Sequence, residues 1–256
     1  MNSEEAKHNQ ADFTPIELRL LRYQNNWHYN SYTAHYVWWK KRFRIKQLLL
    51  EFLQRRTKSS LRILDLGCGD GYDLFLMAKE INSLKKTMAP DARCVGIDIA
   101  SENIDYIRKR VAYEGYSDMI EVYQGDIGEY LEKFPPASFD FILCSEVVEH
   151  LPGPEKVVLG ISRLLASRGR VVITTPNIRN TISRIGARFR RKKNQCKVPI
   201  STIEEDEGLC LCYGHISLRN YRDWVKLFYS AGLRTVNIHR GPLVYGYCWL
   251  DEKPVI

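Results

Sequence analysis

No stretch of this chain is apolar for long enough to cross a membrane. Its longest apolar runs, such as Val171 to Thr175, are strand-sized, whereas a span needs about 20 residues. The opening residues Met1-Asn2-Ser3-Glu4-Glu5-Ala6-Lys7-His8 are polar and partly acidic, so they read as neither a signal peptide nor an arginine-rich transit peptide. The seven cysteines are odd in number, and Cys68, Cys94 and Cys144 fall in stretches that read as core or active-site loop. That argues for reduced thiols rather than a disulfide framework. There is no internal repeat and no excess of glycine or proline. These absences predict a soluble protein of the cytoplasm, at most peripheral to a membrane.

What is present is a globular composition, 45% hydrophobic and 27% charged over 256 residues, enough for a full core. The net charge of +8 is uneven. Between Asn177 and Ile200 stand eight basic residues (Arg179, Arg184, Arg188, Arg190, Arg191, Lys192, Lys193, Lys197) and no acid. A second cluster runs Lys40, Lys41, Arg42, Arg44, Lys46. Two such patches are either solvated helix faces or contacts for a polyanion, whether RNA, an anionic membrane surface or a phosphorylated substrate.

Residues 1 to about 31 lack a period, and their start reads as disordered. Ser31 to Arg55 turns helical, with Trp38, Ile45, Leu48, Leu49 and Phe52 near one face. Trp27, Tyr29, Tyr32, Tyr36, Trp38 and Trp39 either pack this segment onto the domain or line a substrate mouth. The predicted division is an N-terminal segment, 1–55, followed by a domain over 56–256 with a basic insertion at about 177–213.

From Leu61 strands and helices alternate. Strands are predicted at Leu61–Leu66, Cys94–Ile99, Ile120–Tyr123, Phe139–Cys144 and Arg170–Thr175, with helices at Asp73–Ile81, after a capping Ser101, and from a first-turn Pro154 to Leu165. A helix over Leu218–Ala231 closed by Gly232 precedes two last strands, Leu233–His239 and Leu243–Leu250. The rhythm predicts an α/β doubly wound, Rossmann-like sheet of seven mainly parallel strands, with helices on both faces and an antiparallel last strand.

In such sheets ligands bind beyond the carboxyl ends of the strands, where strand order reverses. The loop after the first strand carries Gly67, Gly69 and Gly71, which let the backbone turn sharply and approach a ligand. The spacing is Asp-x-Gly-x-Gly-x-Gly from Asp65. A dinucleotide fingerprint would need glycine at Tyr72, and no Gly-Lys-Ser/Thr is present for a P-loop.

The loop Ile63-Leu64-Asp65-Leu66-Gly67-Cys68-Gly69-Asp70-Gly71 resembles the first motif of class I S-adenosylmethionine-dependent methyltransferases. Val95-Gly96-Ile97-Asp98 resembles the second, Gly125-Asp126-Ile127 the third, and Phe139-Asp140-Phe141-Ile142 followed by Glu146-x-x-Glu149-His150-Leu151 the fourth. Leu164-Leu165-Ala166-Ser167-Arg168-Gly169-Arg170 resembles the fifth, with Ser-Arg-Gly where many members have Pro-Gly-Gly. The resemblance covers about residues 60–240. It implies S-adenosyl-L-methionine as cofactor, with Asp65, Gly67, Cys68, Gly69 and Gly71 in the loop around it. Asp98 would bind the ribose hydroxyls and Asp126 the adenine amino group, with Ile99, Ile127 and Ser145 as further cofactor-binding residues.

Methyl transfer is an in-line displacement in which the protein aligns the acceptor and helps remove its proton. Glu146, Glu149 and His150 stand at i, i+3 and i+4, one face of a helical turn. A similar Glu-x-x-Glu-His occurs in ubiquinone-pathway O-methyltransferases and in small-RNA 3′-terminal 2′-O-methyltransferases, where it holds a metal. The three residues are therefore candidates for a divalent-cation site, for a metal-free base, or for a structural role. His215, before the last helix, is a further catalytic candidate. Cys210-x-Cys212 with Cys196 and His215 offers zinc-type ligands at an atypical spacing.

Arg179 to Lys193 places Ile182, Ile185 and Phe189 on one helical face among arginines. That pattern suits an anionic membrane surface, a nucleic-acid backbone or a lid. Three functions follow: O-methylation of a small-molecule, lipid-linked or glycan acceptor; RNA methylation; or a cofactor-binding, non-catalytic partner subunit. No Asp/Asn-Pro-Pro-Tyr/Phe tetrad follows the fourth strand, where Cys144-Ser145-Glu146-Val147 stands, which disfavours amino methylation of nucleobases.

Overall fold

The computed structural model describes residues 32–55, 60–84, 91–175, 217, 219–237 and 247–251. Helix α1 (Tyr32–Gln54) is followed by β1 (Ser60–Leu66), α2 (Tyr72–Leu84), β2 (Asp91–Asp98), α3 (Ser101–Glu114), β3 (Ile120–Gln124), α4 (Ile127–Lys133) and β4 (Phe139–Ser145). A 3₁₀ turn (Val148–His150), α5 (Pro154–Leu164), β5 (Leu165–Thr174), α6 (Tyr221–Ser230), β6 (Arg234–Asn237) and β7 (Tyr247–Asp251) complete the described chain.

The strands form one sheet in the order β3-β2-β1-β4-β5-β7-β6. Strands β1 to β5 are parallel to one another, and β7 runs antiparallel to both β5 and β6. The chain starts at the centre with β1, winds outward through β2 and β3, then crosses back to β4. Strand order therefore reverses between β1 and β4, and the register puts Leu66 beside both Ile97 and Cys144.

Alternation along each strand sends side chains to opposite faces, and both faces are covered. Leu61, Ile63, Cys94, Phe141, Leu143 and Val172 pack with α1, α2 and α3. Leu64, Leu66, Val95, Ile97, Ile142, Cys144, Val171 and Ile173 pack with α4, α5 and α6. Such two-sided burial is why the central strands read as near-continuous apolar runs. Cys68, Cys94 and Cys144 are buried free thiols.

Helix α1 belongs to the first of these cores. Ile45, Leu48, Leu49, Phe52 and Leu53 are buried, and the Phe52 ring lies 5.6 Å from that of Phe141 on β4. Lys41, one turn before Ile45, is on the same face and only 3% exposed. The second basic cluster is mostly turned toward the domain's own acids. Arg42 pairs with Asp73 at 3.6 Å and lies 3.4 Å over the Tyr72 ring. Arg44 pairs with Glu51 and Lys46 with Glu80. Among the described residues no helix is long and apolar enough to cross a membrane.

Several boundaries differ from expectation. Ser101 is the first residue of α3 rather than its cap; Ala100 occupies the cap position, and the Asp98 carboxylate takes the Ala100 N–H. Helix α6 begins later than Leu218 because Asn220 caps it, accepting from the amides of Arg222 and Asp223. Strand β5 starts at Leu165, not Arg170: Leu165 pairs with Phe139 and Arg170 with Phe141. The residues between form a bulge that includes Arg168 at φ +61°. Pro154 does open α5, and Gly232 follows α6 at φ +79°. The first 31 residues, the basic insertion and the stretch 238–246 between the two last strands lie outside the described residues.

Because Ile45 is fully buried, Ile45→Ala should lower the unfolding free energy in urea by about 2–5 kcal/mol. Trp39→Ala, at a position 54% exposed, should change it by no more than about 0.5 kcal/mol.

Candidate active site

The parallel strands bring the ends of β1 to β5 to one edge of the sheet, and the glycine loop after β1 lies at its centre. Gly67, Gly69 and Gly71 take φ of +69°, +52° and +77°, a region costly for residues with a Cβ. Both Gly67 and Cys68 donate their amides to the Ile97 carbonyl, at 2.8 and 2.9 Å, so the loop folds over the end of β2. A Cβ on Gly67 would overlap Val147 in the β4 loop, whereas one on Gly69 would meet nothing within 4 Å. Gly67 is thus needed for packing, and Gly69 leaves bare backbone beside open space.

Asp98 ends β2 and is 9% exposed. Its Oδ2 accepts the Gly69 amide at 2.8 Å; its Oδ1 accepts the Ala100 amide at 2.9 Å and Asn103 Nδ2 at 3.1 Å. An ionised carboxylate has about four acceptor positions, so three donors fix its orientation and leave room on Oδ2. Beside it Ile99 is 71% exposed, an apolar surface held by rigid backbone. At the end of β3, Asp126 caps α4 by accepting the Gly128 amide at 2.7 Å through Oδ1; Ile127 is half-buried next to it. Asp65 is buried on the α1 face of the sheet, and burial, then the charges of Asp73 and Asp98, push its carboxyl well above the usual range.

The ends of β4 and β5 are joined through Thr174. Its hydroxyl donates to Glu146 Oε1 at 2.8 Å, and its Oγ1 accepts the Glu146 amide at 3.1 Å. With that one hydrogen committed, Ser145 Oγ, 3.0 Å away, is the donor to Thr174. The Glu146 amide also reaches the Thr174 carbonyl at 2.9 Å. These bonds hold Glu146 at φ +57°, a strained backbone of the kind that persists where surroundings over-determine it.

Glu149 is fully buried, with the Thr175 hydroxyl beside its carboxylate but outside strict hydrogen-bond geometry. Burial first, then repulsion by Glu146, pushes its carboxyl up to about 8. Burial pushes the Lys41 ammonium down from its ordinary value, and the charges of Glu146, Asp73 and Glu149 oppose that. His150 Nε2 is 4.0 Å from Glu149 Oε1, with its ring 42% exposed.

Glu146, Glu149 and His150 therefore do not share one face of an α-helical turn. Only Val148–His150 is helical, and as a 3₁₀ turn of three residues per revolution it sends Glu149 inward and His150 outward. Among the described residues no three His, Cys, Asp or Glu side chains are gathered as a metal site. His215, Cys196, Cys210 and Cys212 lie outside the described residues. Ser217 ties the chain before the last helix to the β4 loop: its amide donates to the Glu149 carbonyl and its hydroxyl to the Leu151 carbonyl. Sequence reasoning missed Thr174, Asn103 and Lys41. The alignment of Lys41 with Ile45 and Leu49 at a four-residue spacing was the available signal, masked by its basic neighbours.

The family described as a methyltransferase domain matches residues 57–232. The chain is 27% identical over 183 residues to a ubiquinone biosynthesis O-methyltransferase of Sodalis glossinidius (strain morsitans), covering 68% of this chain and 64% of that protein. It is 33% identical over 116 residues to the protein of the same name from Paracidovorax citrulli, covering 45% and 44%. The chain thus spans less than two thirds of the length of the first of these relatives. A SAM dependent methyltransferase from Aquifex aeolicus shares the fold at a TM-score of 0.53 and 17% identity, over 81% of this chain and 89% of that one.

Gly67→Ala should cost about 2–4 kcal/mol in urea unfolding, from the left-handed backbone and the overlap with Val147. Gly69→Ala, strained but unobstructed, should cost only about 1–2 kcal/mol. Glu149 predicts a pH effect. An unfolded chain releases this proton near 4.5, whereas the folded one keeps it to about 8. Between those values the unfolded state binds fewer protons, so this residue's contribution to stability falls as pH rises and levels off above pH 8. Wild type should therefore lose stability relative to Glu149→Gln as pH rises through that window, measured by urea midpoints; parallel curves would refute it.

Proposed function

The chain belongs to the methyltransferase-domain family, and on that premise we propose that it transfers a methyl group from S-adenosyl-L-methionine to a hydroxyl oxygen of a small-molecule acceptor. The observation that carries the reading is Asp98: a carboxylate locked by three donors at the strand-order reversal, with an acceptor position to spare. A ribose offers two adjacent hydroxyl donors to such a group. Ile99 and Ile127 supply apolar contact for the adenine, and the second oxygen of Asp126 an acceptor for its amino group. Asp65, Gly67, Cys68, Gly69, Gly71 and Ser145 form the wall along which the rest of the cofactor lies, with Gly69 allowing the closest approach. The names of the curated relatives support an oxygen acceptor.

When bound, the cofactor supplies an electrophilic methyl on a sulfonium. The residues of this chain have the remaining tasks. The loops after β1 and β4 set the line between acceptor oxygen and methyl, where alignment is worth several kcal/mol. As the new C–O bond forms and the C–S bond breaks, the acceptor's proton must leave, and among the described residues Glu146, Glu149 and His150, which follow β4, are the candidate bases. His215, two residues before Ser217 in sequence, joins that set of candidates. A divalent cation would need Glu146, Glu149 and His150 to converge, so no step is assigned to one. Lipid-linked and glycan acceptors remain within the proposed class. RNA is disfavoured because the cluster from Lys40 to Lys46 largely serves the domain's own acids.

Asp98→Asn should keep the fold and weaken S-adenosyl-L-methionine binding about 10- to 100-fold by calorimetry, the loss expected for hydrogen bonds to a charged acceptor; unchanged affinity would overturn the site assignment. Labelled methyl from the cofactor should appear on hydroxylated small molecules, with and without chelator. Label on RNA, or activity abolished by chelator, would reverse the corresponding part of the reading.

A further inference from the structure

We propose that Asn103 determines how the cofactor's ribose is read: by donating to Asp98, it leaves that acid able to accept one ribose hydroxyl and not two. The inference rests on the reading that S-adenosyl-L-methionine is bound at Asp98.

Asn103 is the third residue of α3. A side chain at that position commonly turns back toward the start of the helix, where backbone amides lack partners. Here the entry is served from β2 instead. Ala100 occupies the cap position, and its amide goes to Asp98 Oδ1 at 2.9 Å. Asn103 turns back as a second donor to the same oxygen, with Nδ2 at 3.1 Å. Its carboxamide oxygen could not take that place, because two acceptors would repel.

Both partners are held from behind. Ile107, one turn on from Asn103, is fully buried, and a Cβ on Gly71 would come within 2.8 Å of its Cγ1. Residues four apart share a helix face, so the face of α3 that carries Asn103 is packed against the glycine loop. The Asp98 carbonyl accepts the Gly125 amide at 2.9 Å, which fixes the acid's backbone at the end of β2.

The donors can now be set against the acceptor positions. An ionised carboxylate offers about two on each oxygen. Ala100 and Asn103 take both on Oδ1, and Gly69 takes one on Oδ2. Among the described residues, one position on Oδ2 is left. A ribose carries neighbouring hydroxyls on its 2′ and 3′ carbons. Without Asn103, each could donate to its own carboxylate oxygen. With Asn103 in place, only one of them is bound by the charge. Asn103 is thus a positioning residue that acts through Asp98, and the selectivity it sets is between two hydroxyls of the same sugar.

The test is calorimetry on the full chain with S-adenosyl-L-homocysteine, the cofactor without its methyl, and with its 2′-deoxy and 3′-deoxy analogues. Wild type should lose about 10- to 100-fold in affinity for one deoxy analogue, as expected when a hydrogen bond to a charged acceptor is removed. The loss for the other should be smaller by about tenfold. Asn103→Ala should bring the two analogues to within about threefold of each other, because the freed position on Oδ1 admits the second hydroxyl. A merely structural role for Asn103 would weaken all three ligands alike and leave the difference standing; that result would overturn the proposal, as would equal losses in wild type. Asn103→Leu, close to asparagine in volume and also without a donor, takes the place of the alanine variant if that one does not fold. Binding of S-adenosyl-L-homocysteine without discrimination between the hydroxyls would refute the proposal alone. No binding by wild type would refute the cofactor reading, and the proposal with it.

Discussion

The hydrogen bond from the Gly69 amide to Asp98 Oδ2, 2.8 Å long, joins the loop after β1 to the end of β2, and much of the site follows from it. A left-handed glycine turn has no side chain of its own to hold it, so its shape must come from outside. Asp98 provides that constraint together with the Ile97 carbonyl, which accepts two loop amides. The same carboxylate holds Ala100 and Asn103 at the start of α3. One acid thus sets a loop, a strand end and a helix entry, and keeps an acceptor position facing outward.

A second set of bonds does for β4 and β5 what Asp98 does for β1 and β2. Thr174 uses its hydroxyl as donor and acceptor at once, and the β4 loop is held in a strained turn at Glu146. The two sets meet where Gly67 lies against Val147. A methyl group is transferred over little more than a bond length, so rigidity of both halves, and tight contact between them, is what an in-line reaction requires. The core beneath is divided by the sheet into two clusters, and strand alternation decides which of them each edge residue faces. Asp65 and Lys41 share the α1 side.

Motif residues were legible because their chemistry is local. Three glycines at alternate positions, and an acid at the end of each of two apolar runs, announce backbone turns and polar contacts whatever surrounds them. Strand edges were less legible. The bulge before Arg170 and the caps of α3 and α6 depend on which hydrogen-bond partner is nearer in space, as when Ala100, its amide held by Asp98, takes the cap position of α3 in place of Ser101. The helical reading of Glu146, Glu149 and His150 failed for a similar reason: Thr174, 28 residues away, captures Glu146 and lets only a 3₁₀ turn follow.

The sequence by itself determined the alternation of strands and helices, the glycine loop and the acids at the ends of β2 and β3. Each of these is carried by period, spacing or residue type within a dozen positions. Only the tertiary structure decided where the charges go. Lys41 reads as one member of a basic run, yet the packing of Ile45, Leu49 and Phe52 turns it inward, and its neighbours Arg42 and Lys46 find acids on α2. Burial then raises the proton affinity of Glu149. Charge state depends on desolvation and on distant partners, and neither exists until the chain has folded.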